Sequence, residues 1–360
     1  MFDLFSSVRV LLKLDRVCHD NNVFRLHYKA TSIMLVVFSL LVTSKQYFGD
    51  PIECVLGKDA VPSRKAVNSY CWIHSTFTVL RHQGGTIGRD VSHPGVAQHI
   101  PGQDEVIHHR YYQWVCFTLF FQAILFSVPH QLWKIWEGGR LRMLSVDLGE
   151  PLVGSSAWSE ERKKVLTSYL LQARGLTHNF YAIRFATCEL LNLVNVVVQI
   201  YFLDVFLGGS FSTYGPAVFV SRDKIMDPMN RVFPKVTKCL FHYYGPSGTI
   251  QVLDSLCVLS LNVVNEKIFL VLWFWYVFLT GLSTMAIMYR MVVMVSTTVR
   301  IYLLMAQVRF MPRGKLSALV KNVSYGDWFF LRQLGKNLNP IVFRELLINL
   351  ECQLNEKEIL

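Results

Sequence analysis

The number and placement of the cysteines in this sequence indicate disulfide chemistry. The chain has eight cysteines, and no two of them have the CxxC spacing of a redox or zinc motif. Cys54 and Cys71 lie in one long polar stretch, and Cys239 and Cys257 lie in another. Two cysteines in each of two loops predict two disulfides if both loops face an oxidising compartment. The spacing leaves all three pairings of these four residues open.

The other reactive side chains match no known catalytic or metal-binding pattern. The sequence contains no HExxH motif, no GxSxG motif and no glycine-rich phosphate loop. Six histidines between residues 74 and 109 offer metal ligands or proton-sensing groups, but their irregular spacing favours solvated loop side chains. We therefore predict that the protein is not an enzyme and that it has no metal site and no cofactor.

Long apolar segments must position these loops. Hydrophobic residues make up 52% of the chain and charged residues only 17%, well below the roughly 25% of a soluble protein. A helix of ~20 apolar residues crosses a bilayer core of ~30 Å. The sequence predicts an all-α membrane protein with four such helices. The predicted spans are residues 28–48, 111–133, 184–207 and 268–295.

The segments between the spans alternate between the two sides of the membrane. Lysine and arginine are more frequent in the two termini and the middle loop than in the other two loops, which predicts cytoplasmic termini. The net charge of +11 is explained by this bias and by contact with anionic lipid, so no nucleic acid partner is predicted. The predicted segments are a cytoplasmic N-terminal segment (1–27), extracellular loops (49–110 and 208–267), a cytoplasmic loop (134–183) and a cytoplasmic helical region (296–360).

Two spans carry residues that a simple lipid-facing helix does not need. Pro129 in the second span removes a backbone donor, which predicts a kink near Leu125, either at a pore or gate or as a packing feature. Asn192, Asn195 and Gln199 lie on one face of the third span. They either form interhelical hydrogen bonds or line a pore or cavity.

The sequence supports one expectation for Arg290 and two interpretations of the N-terminal segment. Arg290 lies near the end of the fourth span, and we expect its side chain to reach the lipid headgroups. The N-terminal segment has apolar residues at helical spacing. It is either a helix in the membrane interface or a helix folded into a pore mouth.

The start of the second span resembles a known family signature. Residues Tyr111, Tyr112, Gln113, Trp114 and Val115 spell YYQWV, which is the signature of the innexins. Pro129 occupies the position of the innexin second-span proline, and the two cysteines in each loop also match. Longer stretches are similar to insect innexins in particular: DNNVFRLHYKA (20–30), QYFGDPIEC (46–54) and FFQAILFSVPHQLWKIWEGGR (120–140). The resemblance extends from Met1 to about Leu350.

The resemblance implies a structural subunit of gap junctions. Innexin subunits form a ring of about eight around a pore, and two rings dock across the intercellular gap. The pore passes ions and small metabolites between adjacent cells. The expected partners are further copies of the chain, or other innexins that join the same channel, and the lipid bilayer of the plasma membrane.

The resemblance also implies roles for particular residues. It pairs Cys54 with Cys257 and Cys71 with Cys239. It places the N-terminal segment at the cytoplasmic mouth of the pore. The implied pore-lining or gating residues are Met1, Phe2, Asp3, Phe5 and Arg9.

Two alternative functions have the same four-span topology. One is an undocked hemichannel that releases ions or ATP to the outside, as the related pannexins do. The other is a non-conducting adhesion or scaffold protein. A glycan on an outside loop would obstruct docking, and the sole N-x-S/T sequon, at Asn322, lies in the predicted cytoplasmic region. This favours the gap junction.

Overall fold

Helices dominate the protein. A computed structural model describes residues 17–57, 63–84, 87–100, 102–150, 158–220, 228–308 and 311–359. In chain order the helices are α1 (Asn22–Phe48), α2 (Arg64–Ile73), α3 (Val115–Glu137), α4 (Arg140–Ser145), α5 (Glu160–Gln172), α6 (Leu176–Phe206), α7 (Phe211–Val220), α8 (Pro228–Val232), α9 (Ser260–Val295), α10 (Thr297–Met305), α11 (Arg313–Asn322), α12 (Tyr325–Gly335) and α13 (Pro340–Ile359). The strands are β1 (Glu53–Val55), β2 (Thr76–Val79), β3 (Val106–His109), β4 (Val236–Tyr244) and β5 (Ile250–Val258).

Four helices, α1, α3, α6 and α9, are long and apolar enough to cross a membrane. Their presence confirms the predicted helical fold with four apolar helices. Three of them begin before the predicted spans, and α9 is 36 residues long. At 1.5 Å per residue α9 measures ~54 Å and exceeds the ~30 Å hydrocarbon core. Hydropathy detects only the apolar part of such a helix, whereas its backbone hydrogen bonds continue through polar flanks.

The chain forms two compact units. Of the described residues, the first unit contains those within 17–31, 125–195 and 279–359, and the second contains those within 32–124 and 196–278. The boundaries between the units fall within the four long helices.

An antiparallel sheet joins the two predicted extracellular loops within the second unit. The strand order is β1-β5-β4-β2-β3, so the β4–β5 hairpin lies between strands that come from the first loop. The hairpin is paired from Val236 with Val258 to Tyr244 with Ile250. The buried cluster beside the sheet includes Ile52, Tyr112 and the four loop cysteines. This sheet differs from the predicted all-α fold.

A close helix contact in the second unit explains one glycine. Gly215 lies in α7 against the indole ring of Trp273 in α9, and any Cβ at position 215 would overlap that ring. The Trp273 indole N–H donates to the carbonyl of Ser212 at 3.2 Å. Glycine therefore allows α7 to lie directly on α9.

The core of the first unit is formed largely by α11, α12 and α13. It contains large buried side chains, among them Trp133, Trp328, Phe330 and Phe343. Helix α12 begins with a capping box, in which Ser324 and Asp327 each accept the backbone N–H of the other. Asp327 also lies 2.7 Å from Nδ1 of the buried His178. These contacts anchor the start of α12 to α6.

Candidate functional site

Two disulfides join the two loops that are predicted to be extracellular. Cys54 in β1 is bonded to Cys257 in β5, and Cys71 in α2 is bonded to Cys239 in β4. These are the pairs that the resemblance implies, and all four residues are almost completely inaccessible to solvent. Each bond links residues more than 160 positions apart in the chain. Two cross-links between distant segments greatly restrict the unfolded chain and hold the two loops in one sheet.

The YYQWV segment attaches the start of α3 to one of these disulfides. The Tyr112 ring stacks on Trp72 with centroids 4.6 Å apart, and its hydroxyl donates to the carbonyl of Cys71 at 3.2 Å. The side-chain amide of Gln113 donates to the carbonyls of Trp72 and Ile73. The segment therefore couples helix α3 to the loop sheet.

The remaining three residues of the segment differ in exposure. The hydroxyl of Tyr111 donates to the carbonyl of Val232 at 3.2 Å. Val115 is buried at the first position of α3, whereas 61% of Trp114 is exposed. Trp114 is thus free to contact lipid or a neighbouring chain at the membrane surface.

The polar face of α6 forms a hydrogen bond with α3 one turn before Pro129. Helix α3 continues through Pro129, which has no N–H to donate to the carbonyl of Leu125, one turn earlier. The side-chain amide of Asn195 donates to that carbonyl at 3.4 Å. A neighbouring helix therefore satisfies the carbonyl that the proline leaves without its helical donor. The kink near Leu125 stays a prediction.

We expect Pro129→Ala to change channel gating more than assembly. Alanine supplies a backbone N–H that donates to the carbonyl of Leu125, so that carbonyl no longer needs the hydrogen bond from the Asn195 side chain. Helix α3 then loses its local freedom to bend. Voltage dependence of the junctional current should shift while the amount of surface protein stays normal. Asn195→Ala should cost about 0.6 kcal/mol in the native chain and less in the Pro129→Ala chain. Unchanged gating in assembled channels would limit Pro129 to a packing role.

The other two residues of the polar face are buried in the chain. Only 3% of Asn192 and 1% of Gln199 is exposed, whereas Asn195 is half-buried. Such burial favours contacts between helices over lining of an open surface. Their function in the assembled protein stays a prediction. Met1, Phe2, Asp3, Phe5 and Arg9 lie outside the described residues.

A buried ion pair connects three helices in the first unit. Arg290 in α9 binds both carboxylate oxygens of Glu189 in α6, with Nη2 2.7 Å from Oε1 and Nε on Oε2. The side-chain amide of Asn21, which caps α1, donates to the same carboxylate. The guanidinium lies against the rings of Phe185 and Phe329, at 4.8 and 5.0 Å from their centroids.

The expectation that Arg290 reaches the lipid headgroups is therefore wrong. Its side chain is only 17% exposed and turns inward to a carboxylate. Charged side chains in membrane-spanning helices usually face the interior of the helix bundle and pair with one another. Both residues were visible in the sequence near the ends of their spans, but no periodic pattern links two residues on separate helices.

The loop sheet contains one histidine that burial holds neutral. His109 in β3 is 5% exposed, and its Nε2 lies 3.0 Å from the hydroxyl of Thr78 in the neighbouring strand. Burial, with a smaller contribution from His108, lowers the pKa of His109 to about 4. Because an unfolded histidine has a pKa near 6.5, acid favours the unfolded state.

The sheet should lose stability as the pH falls from about 6.5 towards 4. In this window the unfolded chain binds a proton at His109 that the folded chain does not. The free energy of unfolding therefore falls by about 2 kcal/mol between pH 7 and pH 5. Melting temperatures of the purified protein at both pH values measure this loss. His109→Gln should flatten the dependence, whereas His242→Gln, at an exposed position of β4, should not. An equally steep dependence in both variants would contradict the assignment.

These features together are those of one class of membrane protein. Four long apolar helices with buried polar contacts, joined to one disulfide-linked sheet of two loops, are typical of a polytopic membrane protein with an extracellular domain. The sequence model of the Innexin family matches residues 20–354. The chain therefore belongs to the innexin family. It is a subunit of gap-junction channels, a membrane protein of the cell junction and not an enzyme.

Individual relatives match over the full length. "Innexin inx2" of Schistocerca americana is 54% identical over 364 residues, covering 100% of both chains. "Innexin inx2" of Drosophila melanogaster is 52% identical over 362 residues, covering 99% of this chain and 97% of its own. "Innexin shaking-B" of Drosophila melanogaster is 41% identical over 366 residues, covering 99% and 96%. The similarity includes the loops as well as the apolar helices.

Proposed function

We propose that about eight copies of this chain form a ring around a central pore and that two such rings dock between adjacent cells. The observation that carries this proposal is the single sheet built from both loops, because docking needs loops that keep one shape. Two disulfides and the Tyr112 and Gln113 contacts give that sheet its fixed geometry. The docked pore passes ions and small metabolites.

The β4–β5 hairpin is the proposed docking element. It ends in a turn between Tyr244 and Ile250, and the side chains of both residues are mostly exposed, as is that of Val252. Exposed apolar side chains at the end of a rigid hairpin fit contact with a second copy of the same hairpin region. Closed symmetry then repeats each small contact around the ring.

The membrane topology belongs to the same proposal. Both termini and residues 134–183 are cytoplasmic, and the loops 49–110 and 208–267 are extracellular. The excess of Lys and Arg on the cytoplasmic side supports this, as do the disulfides in the outside loops. Met1, Phe2, Asp3, Phe5 and Arg9 then lie at the cytoplasmic mouth of the pore.

Apolar side chains on the outer faces of the long helices supply the lateral contacts of the ring. Exposed examples are Phe117 and Phe121 in α3, Val197 in α6 and Phe278 in α9. Such faces fit lipid or the helices of neighbouring subunits. A count of subunits in electron micrographs of the purified protein tests the ring size.

Dye transfer separates the proposed function from its two alternatives. Dye that passes between two expressing cells, but not from one cell into the medium, supports docked channels. Dye that leaves single cells and never crosses between cells supports an undocked hemichannel. No dye movement, with the protein confirmed at the surface, supports a non-conducting scaffold.

A charge at the hairpin end should block docking without affecting the ring. Ile250→Asp places a carboxylate in each repeated contact, so dye transfer between cells should fall to the level of cells that lack the protein. The ring count should stay unchanged. The control is Ile73→Asp, which alters an equally exposed position at the end of α2 and should retain coupling. Full coupling by Ile250→Asp would show that the hairpin is not part of the docking surface.

A further inference from the structure

We propose that His19, Asp20 and His130 form a binding site for a divalent transition metal ion, with Zn²⁺ as the occupant. The three residues belong to the first unit, where the chain approaches α1 and where α3 continues past Pro129. Their ligand atoms all lie within 4.8 Å of one another. The sequence analysis predicted no metal site, because only the fold brings His130 to the other two residues.

The distances between the ligand atoms are close to those of a zinc site. Nε2 of His19 lies 3.5 Å from Oδ1 of Asp20, and Nδ1 of His130 lies 3.8 Å from Oδ2. Zn²⁺ binds histidine nitrogen and carboxylate oxygen at about 2.0–2.2 Å, so tetrahedral ligand atoms lie roughly 3.3–3.5 Å apart. The widest separation among the three ligand atoms is at most 4.8 Å, so rotation of the side chains has to draw the atoms closer together around one ion.

The tautomer of His19 suits a metal ligand. Its Nδ1 lies 3.2 Å from the carbonyl of Val17, so this nitrogen carries the proton and donates it to that oxygen. The lone pair of Nε2 then faces the carboxylate of Asp20. Metal-binding histidines usually have this arrangement, in which the second ring nitrogen donates to a backbone carbonyl.

The burial of the Asp20 carboxylate is the strongest indication that a cation binds between these groups. Only 7% of Asp20 is exposed, and its Oδ1 has no hydrogen-bond partner in the described part of the chain. Nε2 of His19, which faces Oδ1, is likewise buried without a partner there. A buried carboxylate oxygen opposite a nitrogen lone pair is unfavourable unless a cation lies between them.

Neighbouring groups fix the orientation of the ligands. The Tyr28 hydroxyl donates to Oδ2 of Asp20 at 3.0 Å, and the Tyr28 ring stacks on His130 with centroids 3.6 Å apart and planes 6° apart. Such second contacts set the geometry and basicity of metal ligands. Asp20 also borders an open groove of about 700 Å³, so one of the three ligands is next to a space that solvent can enter.

Metal analysis of the purified full-length protein tests the proposal. Protein from zinc-supplemented cells should carry about one Zn²⁺ per chain, and His19→Ala and His130→Ala should carry only background zinc. His108→Ala, which alters an exposed loop histidine, should retain the ion. Cobalt added to the metal-free protein should give the visible absorption bands of a four-coordinate site in the native chain alone.

A more conservative variant separates an effect on zinc binding from an effect on folding. Tyr28→Phe keeps the ring on His130 and removes only the hydroxyl, so zinc affinity should fall about 10–100-fold in a protein that elutes normally on size exclusion. Equal zinc contents in the native chain and in both histidine variants would show adventitious binding and overturn the proposal. Absence of zinc from the native chain would also overturn it and would leave a shared proton as the charge between His19 and Asp20.

Discussion

Cells that express Cys54→Ser should show no junctional conductance. The substitution opens the bond between β1 and β5 and leaves the thiol of Cys257 unpaired in a buried cluster. Loss of a native disulfide typically costs about 2–5 kcal/mol, and this one joins the two loops that form a single sheet. Without it, β1 is no longer cross-linked at the sheet edge, and the loops lose the shape that docking requires.

Two further variants identify the cause of the lost conductance. Cys54→Ser/Cys257→Ser removes the unpaired thiol and should also fail to couple, which excludes mispairing as the explanation. Cys352→Ser changes an exposed cysteine that takes no part in a disulfide and should couple normally. Recording from cell pairs, with surface protein measured in parallel, provides the comparison. Normal conductance of Cys54→Ser at normal surface amounts would show that docking does not depend on this disulfide.

Glu189→Gln should destabilise the protein by about 3–5 kcal/mol. The substitution removes the charge that two nitrogens of Arg290 bind and leaves the guanidinium in the interior against Phe185 and Phe329. It also weakens the contact with Asn21 at the start of α1. A lower melting temperature of the purified protein and a smaller surface fraction are the expected results.

Comparison with an exposed pair shows whether burial is the reason. Glu160 pairs with Lys163 at 2.8 Å, but the Glu160 side chain is 78% exposed, so Glu160→Gln should cost at most about 1 kcal/mol. Glu189→Gln/Arg290→Gln should be less destabilised than the sum of its two single variants, because no unpaired charge remains. Additive effects of the two substitutions would contradict a direct pairing.

The long apolar helices were predictable because they depend on local composition. About twenty uncharged residues must be helical to cross a bilayer, whatever the rest of the chain does. The exact helix ends were not predictable, since α6 and α9 continue into polar flanks at their N-terminal ends. Hydropathy contains no information on where such an extension stops.

The sheet and the long-range contacts needed more than local pattern. Strands β1, β2 and β3 have only three or four residues each and lie in a loop without clear alternation. The cysteine pairs came from the family resemblance, because spacing leaves three pairings open. The bond from Asn195 to Leu125 and the pair of Glu189 with Arg290 join residues on separate helices, which no single-sequence periodicity can connect.

Electrical recording from two cells that both express only this chain tests the central claim most directly. If two rings dock through their disulfide-linked loops, a large junctional conductance appears between the cells and is absent when only one cell expresses the protein. A pair that shows no junctional conductance, with the protein confirmed at both surfaces, would contradict docking between identical rings.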